Sequence, residues 1–93
     1  MAPLKHAKLL STPRFRFYLC KLTDAKAPAD IVEMCTQTFG GCIDALLNIA
    51  GIIDTFNSVD TLKDDDWNRV IAVNLTTPVK LMREVVPIMR EQQ

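Results

Sequence analysis

Two strand-like apolar runs, each followed by a stretch with helical spacing, limit the folds that this chain can adopt. Residues 14–22 are rich in aromatic side chains and alternate with a period of two, which predicts a β-strand. Residues 43–48 form a second short apolar run, typical of a strand that is buried on both faces. Strand, helix, strand and helix in this order predict an α/β fold, a parallel sheet covered by helices.

The first helix is predicted to follow the turn-forming residues 23–30. Apolar residues recur at helical intervals from Ala29 onward, and Gly40 and Gly41 are expected to end the helix. A second helix is predicted for residues 64–90, because its three opening aspartates suit the positive end of a helix dipole and an apolar stripe follows them.

Three residues of the long second helix need individual explanations. Trp67 is predicted to anchor the core. Pro78 removes a backbone hydrogen-bond donor from the middle of the helix. Asn74 places a polar side chain on the apolar stripe, where an asparagine is most simply explained as a buried amide bonded to neighbouring backbone.

Composition narrows the classes of function. The 93 residues suffice for one small domain, residues 1–93, of which residues 1–13 are expected to be a frayed segment. Eleven basic and eleven acidic residues cancel, so no nucleic-acid surface is predicted. No apolar run is long enough for a membrane span or a secretory signal, which predicts a cytoplasmic protein. Three cysteines without a C-x-x-C pair and a single histidine predict reduced core cysteines and no metal site.

Small and polar residues follow the second predicted strand. In open parallel sheets, ligands bind beyond the carboxyl ends of the strands. Ala50 and Gly51 would let the main chain approach a ligand, and Asn48 can hold the loop through its amide. A turn glycine at Gly51 and a strand-ending cap at Asn48 explain the same residues without a ligand, so the local pattern leaves both interpretations open.

Four motifs taken together resemble the short-chain dehydrogenase/reductase family. "IDALLNIAG" is similar to the D-x-L-V-N-N-A-G end of the family's fourth strand, and "WNRVIAVNL" is similar to the W-x-x-x-x-x-V-N-L segment of its next helix. "CKLTDA" resembles the family's C-D-V-T-D, and "LMREVVPIMRE" resembles its L-x-x-x-x-x-P-x-M ending. The resemblance runs from about Arg14 to Glu91 with the motifs in family order, and it implies a partial Rossmann-like, doubly wound sheet.

The resemblance also implies a nicotinamide cofactor, NAD or NADP, and assigns roles to individual residues. Asn48, Ala50 and Gly51 would line the adenosine and nicotinamide-ribose side of the cofactor site, and Leu22 would lie against the adenine. Asn74 would be the family's helix asparagine, which opens the helix hydrogen bonding and positions a water in the proton relay to the catalytic lysine.

Two residues depart from the family pattern beside these positions. Ile49 stands where the family has a second asparagine, so one amide that braces the loop is lost. Lys21 stands where an acidic residue would accept a hydrogen bond from the adenine amine, and lysine has no acceptor to offer. Both departures are expected to weaken cofactor binding.

The catalytic parts that the resemblance requires are not among these 93 residues. The three glycines cannot form the family's glycine-rich phosphate turn, and the single tyrosine, Tyr18, is followed four residues later by Leu22 and not by lysine. The chain is therefore expected to lack the N-terminal phosphate-binding unit and the C-terminal catalytic half. The sequence predicts a fragment of an NAD(P)-dependent oxidoreductase acting on alcohols or ketones, inactive as this chain alone.

Two other functions remain open at this point. In the family the long helix packs against its counterpart in a dimer, so residues 64–90 offer a non-catalytic dimerisation or interaction module. A nucleotide-binding protein of another α/β family would also place a loop such as residues 48–51 at the edge of its sheet. Self-association is predicted for two reasons. The sheet would have too few strands to pair its edges, and the apolar stripe of the long helix is wider than one small sheet can cover.

Overall fold

The computed structural model of the chain describes residues 13–53 and 58–93. Helix α1 spans Ala27–Phe39, and a short 3-10 turn spans Val59–Thr61. A long helical stretch follows, composed of helix α2 at Asp64–Ile71, a π-helical segment at Ala72–Thr76 and helix α3 at Thr77–Glu91. Apart from residue 13, the predicted frayed segment lies outside the described residues.

Helix α1 ends where the sequence predicts. Gly40 and Gly41 adopt φ angles of 87° and 92°, a left-handed conformation that glycine reaches without steric cost. The Gly41 N–H donates to the Thr36 carbonyl at 2.8 Å, so the turn satisfies a carbonyl at the helix end. The helix begins at Ala27, two positions before the predicted Ala29, with Pro28 in its first turn where no backbone donor is needed.

The long second helix is confirmed, with one interruption that the apolar spacing did not predict and that lies where the resemblance implies an opening at Asn74. Three aspartates fill the first turn of α2, and Asp66 lies 3.5 Å from Arg69 one turn later. The π-helical segment then widens the helix for one turn. Because α3 begins directly after it, Pro78 lies in the first turn of α3, where a missing N–H costs little.

The two predicted strands do not pair with each other. Within residues 13–53 and 58–93 there is no β-strand, and no backbone hydrogen bond joins residues 14–22 to residues 43–48. A strand is stabilised through hydrogen bonds to a neighbouring strand. In a doubly wound sheet, strands that follow one another along the chain need not be neighbours, because the order 3-2-1-4 separates the third strand from the fourth. The predicted parallel sheet is therefore not formed by the described residues.

The core lies where α3 packs against α1 and the start of the second apolar run. Four buried side chains form it, each less than a tenth exposed: Val32, Ile43, Leu81 and Val85. Leu81 and Val85 are one helical turn apart, and Ile88, partly buried, extends the same face of α3. This face positions the segment that carries the predicted site residues.

Trp67 is not a core anchor. Its side chain is 55% exposed, whereas Val85 is only 3% exposed. Eighteen residues separate the two, which is five full turns of an ideal α-helix and would place both on one face. A π turn holds one more residue than an α turn, so the intervening segment rotates α2 by about 100° relative to α3. The prediction of a core position for Trp67 was wrong because it continued the 3.6-residue period of an α-helix through the π-helical segment.

A second apolar face of the long helix is exposed. Beyond the core face, α3 and the π-helical segment present exposed apolar side chains at Leu75, Val79, Met82 and Val86, spaced by three or four residues. We refer to these four residues as the outer stripe. Across residues 13–53 and 58–93, none of the helices combines the length and the hydrophobicity that crossing a bilayer requires.

Candidate functional site

Asn74 fastens the end of the second apolar run to the long helix. The Ile52 N–H donates to the Asn74 Oδ1 at 2.8 Å, and the Asn74 Nδ2 donates to the Ile52 carbonyl at 2.7 Å. One side-chain amide thus satisfies both backbone groups of one residue, as a paired strand would. The prediction for Asn74 had two parts. The hydrogen bonds of its amide to backbone are present, but the residue is exposed and not buried.

The π-helical segment surrounds Asn74. The Thr77 N–H donates to the Ala72 carbonyl five residues earlier, which is the π pattern. Pro78 has no N–H to offer to the Asn74 carbonyl four residues before it. Such single π turns are frequent at functional sites.

Thr77 ties the end of the first apolar run to the same region. Its hydroxyl oxygen lies 2.8 Å from the Ala72 carbonyl oxygen and 3.2 Å from the Leu22 carbonyl oxygen, and its proton can be shared between them. Thr77 is 4% exposed, so this contact is sheltered from water. The sequence pattern did not identify Thr77, whose one weak local signal is a hydroxyl directly before Pro78 within a predicted helix.

A cleft of about 510 Å³ opens between the two predicted strand ends. Leu22 and Lys21 line it from the first run, Ala50 and Gly51 from the second, and Arg69 from α2. A Cβ atom added at Gly51 would meet only the Asn74 Oδ1, at 3.5 Å, so the glycine is not required by that contact. Gly51 thus lines the cleft through its backbone alone.

A second cavity, of about 240 Å³, adjoins the first. Leu22 and Ala50 line both cavities, while Asn48, Thr77 and Pro78 line only the smaller one. Four predicted site residues, Leu22, Asn48, Ala50 and Gly51, are therefore brought together. Asn74 lines neither cavity, but it is hydrogen-bonded to Ile52, which lines the larger one.

The expected brace of the loop is provided by a different residue. The sequence assigned this task to Asn48, but within the described part of the chain the Asn48 side chain makes no hydrogen bond, and the residue is exposed. Asn74 supplies the brace instead, by bonding Ile52. A local reading could not find this pair, because the two residues are 22 positions apart.

The charges around the cleft are unusual for a site that receives an adenine amine. Lys21 and Arg69 both line it, and Arg69 also faces Asp66.

Burial raises the pKa of the Cys20 thiol, and the nearby carboxylates of Asp24 and Asp30 raise it further. The Cys20 thiol therefore stays protonated at neutral pH and is a weak nucleophile.

The chain matches a known family over nearly its whole length. The family model described as "short chain dehydrogenase" matches residues 2–93. The short chain dehydrogenase trt9 of Aspergillus terreus is 53% identical over 87 residues, which are 94% of this chain and 37% of that protein. The short chain dehydrogenase adrF of Penicillium roqueforti is 59% identical over 81 residues, 87% of this chain and 32% of that protein. The chain thus spans about a third of the length of these curated relatives.

A solved structure shows the same relationship in three dimensions. A protein from Bacillus thuringiensis, assigned as a 3-oxoacyl-reductase, is 32% identical in sequence and superposes with a TM-score of 0.83. The match covers 96% of this chain and 37% of that one.

Proposed function

The chain belongs to the short-chain dehydrogenase family, and we propose that it contributes the adenosine side of a nicotinamide dinucleotide site. The observation that carries this proposal is the pair of adjoining cavities lined by Leu22, Asn48, Ala50 and Gly51. These residues follow two runs that we propose to be strands of a Rossmann-like parallel sheet, supported by the Bacillus thuringiensis structure. Ligands of such sheets bind at this edge.

The residues present fit one end of the dinucleotide and not the other. An adenosine group needs a partly apolar slot with small side chains on one wall, and Leu22, Ala50 and Gly51 supply that slot. A pyrophosphate needs backbone N–H groups in a glycine-rich turn, whereas Gly40 and Gly41 are used to end α1. The bound NAD or NADP would supply the group that gives or takes a hydride.

We assign no proton transfer to this chain alone. Asn74 holds the loop backbone at Ile52 and lies in the π-helical segment, so its proposed role in catalysis is to fix the loop and to leave a nearby carbonyl free for a water. Within the family resemblance, the proton would come from a Tyr-x-x-x-Lys pair, which this sequence does not contain. The chain is therefore proposed to be inactive on its own with alcohols and ketones.

A titration with NAD, followed by NMR of the backbone amides, tests the proposal. We expect shifts at Leu22, Ala50 and Gly51, and a Kd of about 1 mM or weaker, near −4 kcal/mol, because only the adenosine side is held. Gly51→Ala should reduce these shifts, since it adds a methyl group to a residue that lines the cleft. Ala45→Ser adds one atom to the same run outside both cavities and should leave the titration unchanged.

Two results would contradict this proposal. Micromolar binding would mean that the chain supplies a phosphate site elsewhere, and shifts that Gly51→Ala leaves intact would place the ligand in another part of the chain. Oxidation or reduction of the nicotinamide by the isolated chain, with any alcohol or ketone, would contradict the proposed inactivity.

A non-catalytic interaction module is the second candidate, and one observation favours it. The outer stripe of the long helix is 39–57% exposed at its four apolar residues. A contiguous exposed apolar face on a helix is a common docking surface for another helix. The two proposals are compatible, because none of the four residues of the outer stripe lines either cavity.

A further inference from the structure

Gln92, directly after α3, makes a two-bond contact with a residue far away in sequence. The Ile43 N–H donates to the Gln92 Oε1 at 2.6 Å, and the Gln92 Nε2 donates to the Ile43 carbonyl at 2.9 Å. These are the bonds that a paired strand would give to Ile43. Ile43 is a core residue, 7% exposed, so both bonds are sheltered by the packing around it.

The Gln92 contact mirrors the Asn74 contact, and the two lie at opposite ends of the segment formed by residues 43–52. We refer to each of these two-bond contacts as a clamp. The long helix runs 18 residues from Asn74 to Gln92, which is about 27 Å at 1.5 Å per residue. The segment runs nine residues between the two clamped positions, Ile52 and Ile43, and must cover a similar distance. About 3 Å per residue is reached only by an extended backbone. The segment is therefore held extended and antiparallel to the helix.

The two amides are the segment's hydrogen-bonded attachments. Within residues 13–53 and 58–93, the backbone of residues 43–52 makes hydrogen bonds to the rest of the chain only through Gln92 and Asn74. Between the two contacts, Leu46 packs partly against the core, while Leu47 and Ile49 are 76% and 82% exposed. The hydrogen bonds at both ends therefore act together with the packing of Ile43 and Leu46 in fixing the register of residues 43–52.

We propose that Gln92 is a positioning residue, which sets the register of residues 43–52 against the long helix and thereby places Asn48, Ala50 and Gly51 at the cleft. This role rests on the proposed function, because the placed residues are the proposed dinucleotide contacts. Only a side-chain amide offers a donor and an acceptor at neutral pH in the required spacing. Asparagine is one methylene shorter and does not reach from the same helical position.

Hydrogen exchange of the Ile43 amide, measured by NMR on the full chain, tests the clamp without any ligand. In Gln92→Leu the Ile43 amide should exchange about tenfold faster, as expected for the loss of one net hydrogen bond. The Ile52 amide should change less than about twofold, because Asn74 still holds it. Gln93→Leu makes the same substitution one residue later, at an exposed position, and should leave the Ile43 exchange rate unchanged.

Gln92→Glu separates the clamp from a general effect on the helix end. The carboxylate keeps an acceptor for the Ile43 N–H but has no donor for the Ile43 carbonyl, so Ile43 should exchange faster than in the unmodified chain and no faster than in Gln92→Leu. The same negative charge at a helix C-terminus lowers overall stability. A role limited to helix stability would instead make Ile43 exchange faster in Gln92→Glu than in Gln92→Leu, and that order would overturn the proposal. If the leucine variant fails to fold, an Ile43 exchange rate in Gln92→Glu equal to that of the unmodified chain would overturn it.

The positioning step has its own readout. The Ala50 and Gly51 amide resonances should move in Gln92→Leu and stay in place in Gln93→Leu, and the NAD shifts of the unmodified chain should be reduced at least threefold by Gln92→Leu alone. Positioning by Gln92 would be refuted if the Ala50 and Gly51 resonances did not move in Gln92→Leu. It would also be refuted if the NAD titrations of Gln92→Leu and Gln93→Leu were equal. An unmodified chain that shows no NAD shifts would refute the proposed function and leave the exchange result on Ile43 to decide the clamp.

Discussion

Two neighbouring valines of α3 provide a direct test of which helix face forms the core. Val85 is 3% exposed and packs with Val32, Ile43 and Leu81, whereas Val86 is 39% exposed on the outer stripe. Replacing each by alanine removes the same two methyl groups. Any difference between the variants therefore reports the environment of the side chain and not its helix propensity.

The expected magnitudes follow from burial. At about 0.8 kcal/mol per buried methyl or methylene group, Val85→Ala loses about 1.6 kcal/mol of transfer free energy, and a residual cavity raises the total to about 2 kcal/mol. Val86→Ala loses at most about 1 kcal/mol, because the side chain is partly in water already and no cavity forms. A small domain has on the order of 5 kcal/mol of stability, so Val85→Ala should lower the unfolding midpoint markedly.

Urea unfolding followed by circular dichroism, at two protein concentrations, measures both variants. Val85→Ala should lower the free energy of unfolding by about the same amount at each concentration. If the outer stripe is a self-association surface, Val86→Ala should act mainly at the higher concentration, where assembly adds to stability. Sedimentation equilibrium should then show a dimer or larger assembly for the unmodified chain and less of it for Val86→Ala.

Three outcomes would refute this reasoning. Equal destabilisation by the two substitutions at low concentration would mean that α3 does not present one core face. A larger effect of Val86→Ala in a monomeric sample would place the core on the outer stripe. A single monomeric species with a sharp, cooperative unfolding transition at every concentration would refute the self-association of this chain.

Two further predictions concern the clamp at Ile52 and the thiol at the cleft. Asn74→Leu removes both Ile52 hydrogen bonds and should lower the free energy of unfolding by about 1–2 kcal/mol, with faster exchange of the Ile52 amide; an unchanged exchange rate would contradict the clamp. Because carboxylates raise the pKa of Cys20, Asp24→Asn should lower that pKa and speed alkylation of Cys20 at neutral pH, while Cys42, which is exposed, should react at its original rate. Mass spectrometry of the alkylated peptides measures both rates, and a slower reaction of Cys20 would contradict the assigned cause.

Local patterns predicted those parts of the fold that local interactions determine. The end of α1 at Gly40 depends on the left-handed φ that glycine adopts, and the start of α2 depends on acidic residues at a helix N-terminus, so both could be read from neighbouring residues. Strand pairing could not, because it depends on segments far apart in sequence. The same is true of the Gln92 contact with Ile43, which joins residues 49 positions apart.

The predicted site shows the same division. Ala50 and Gly51 were found because small residues follow the second predicted strand, and Leu22 was found through the family resemblance; the structure places all three around one cleft. The residues that hold them there, Thr77 and Gln92, carry no local signal of comparable strength. Their function lies in a hydrogen bond to a distant carbonyl, and neither composition nor periodicity records such a bond.

The sequence pattern left two features of the long helix to be explained, a polar residue on its apolar stripe, Asn74, and a proline in its middle, Pro78. Both have one physical explanation. Pro78 cannot donate to the Asn74 carbonyl, so a regular α-helix would lose a hydrogen bond at this point in any case. The chain adopts a π turn there, in which the Thr77 N–H reaches back to the Ala72 carbonyl. The extra residue in that turn rotates α2 relative to α3 and leaves Asn74 facing the Ile52 backbone, with which it exchanges two hydrogen bonds. A polar residue followed four positions later by proline, on the apolar stripe of a long predicted helix, is therefore a pattern that indicates a widened turn holding a neighbouring segment.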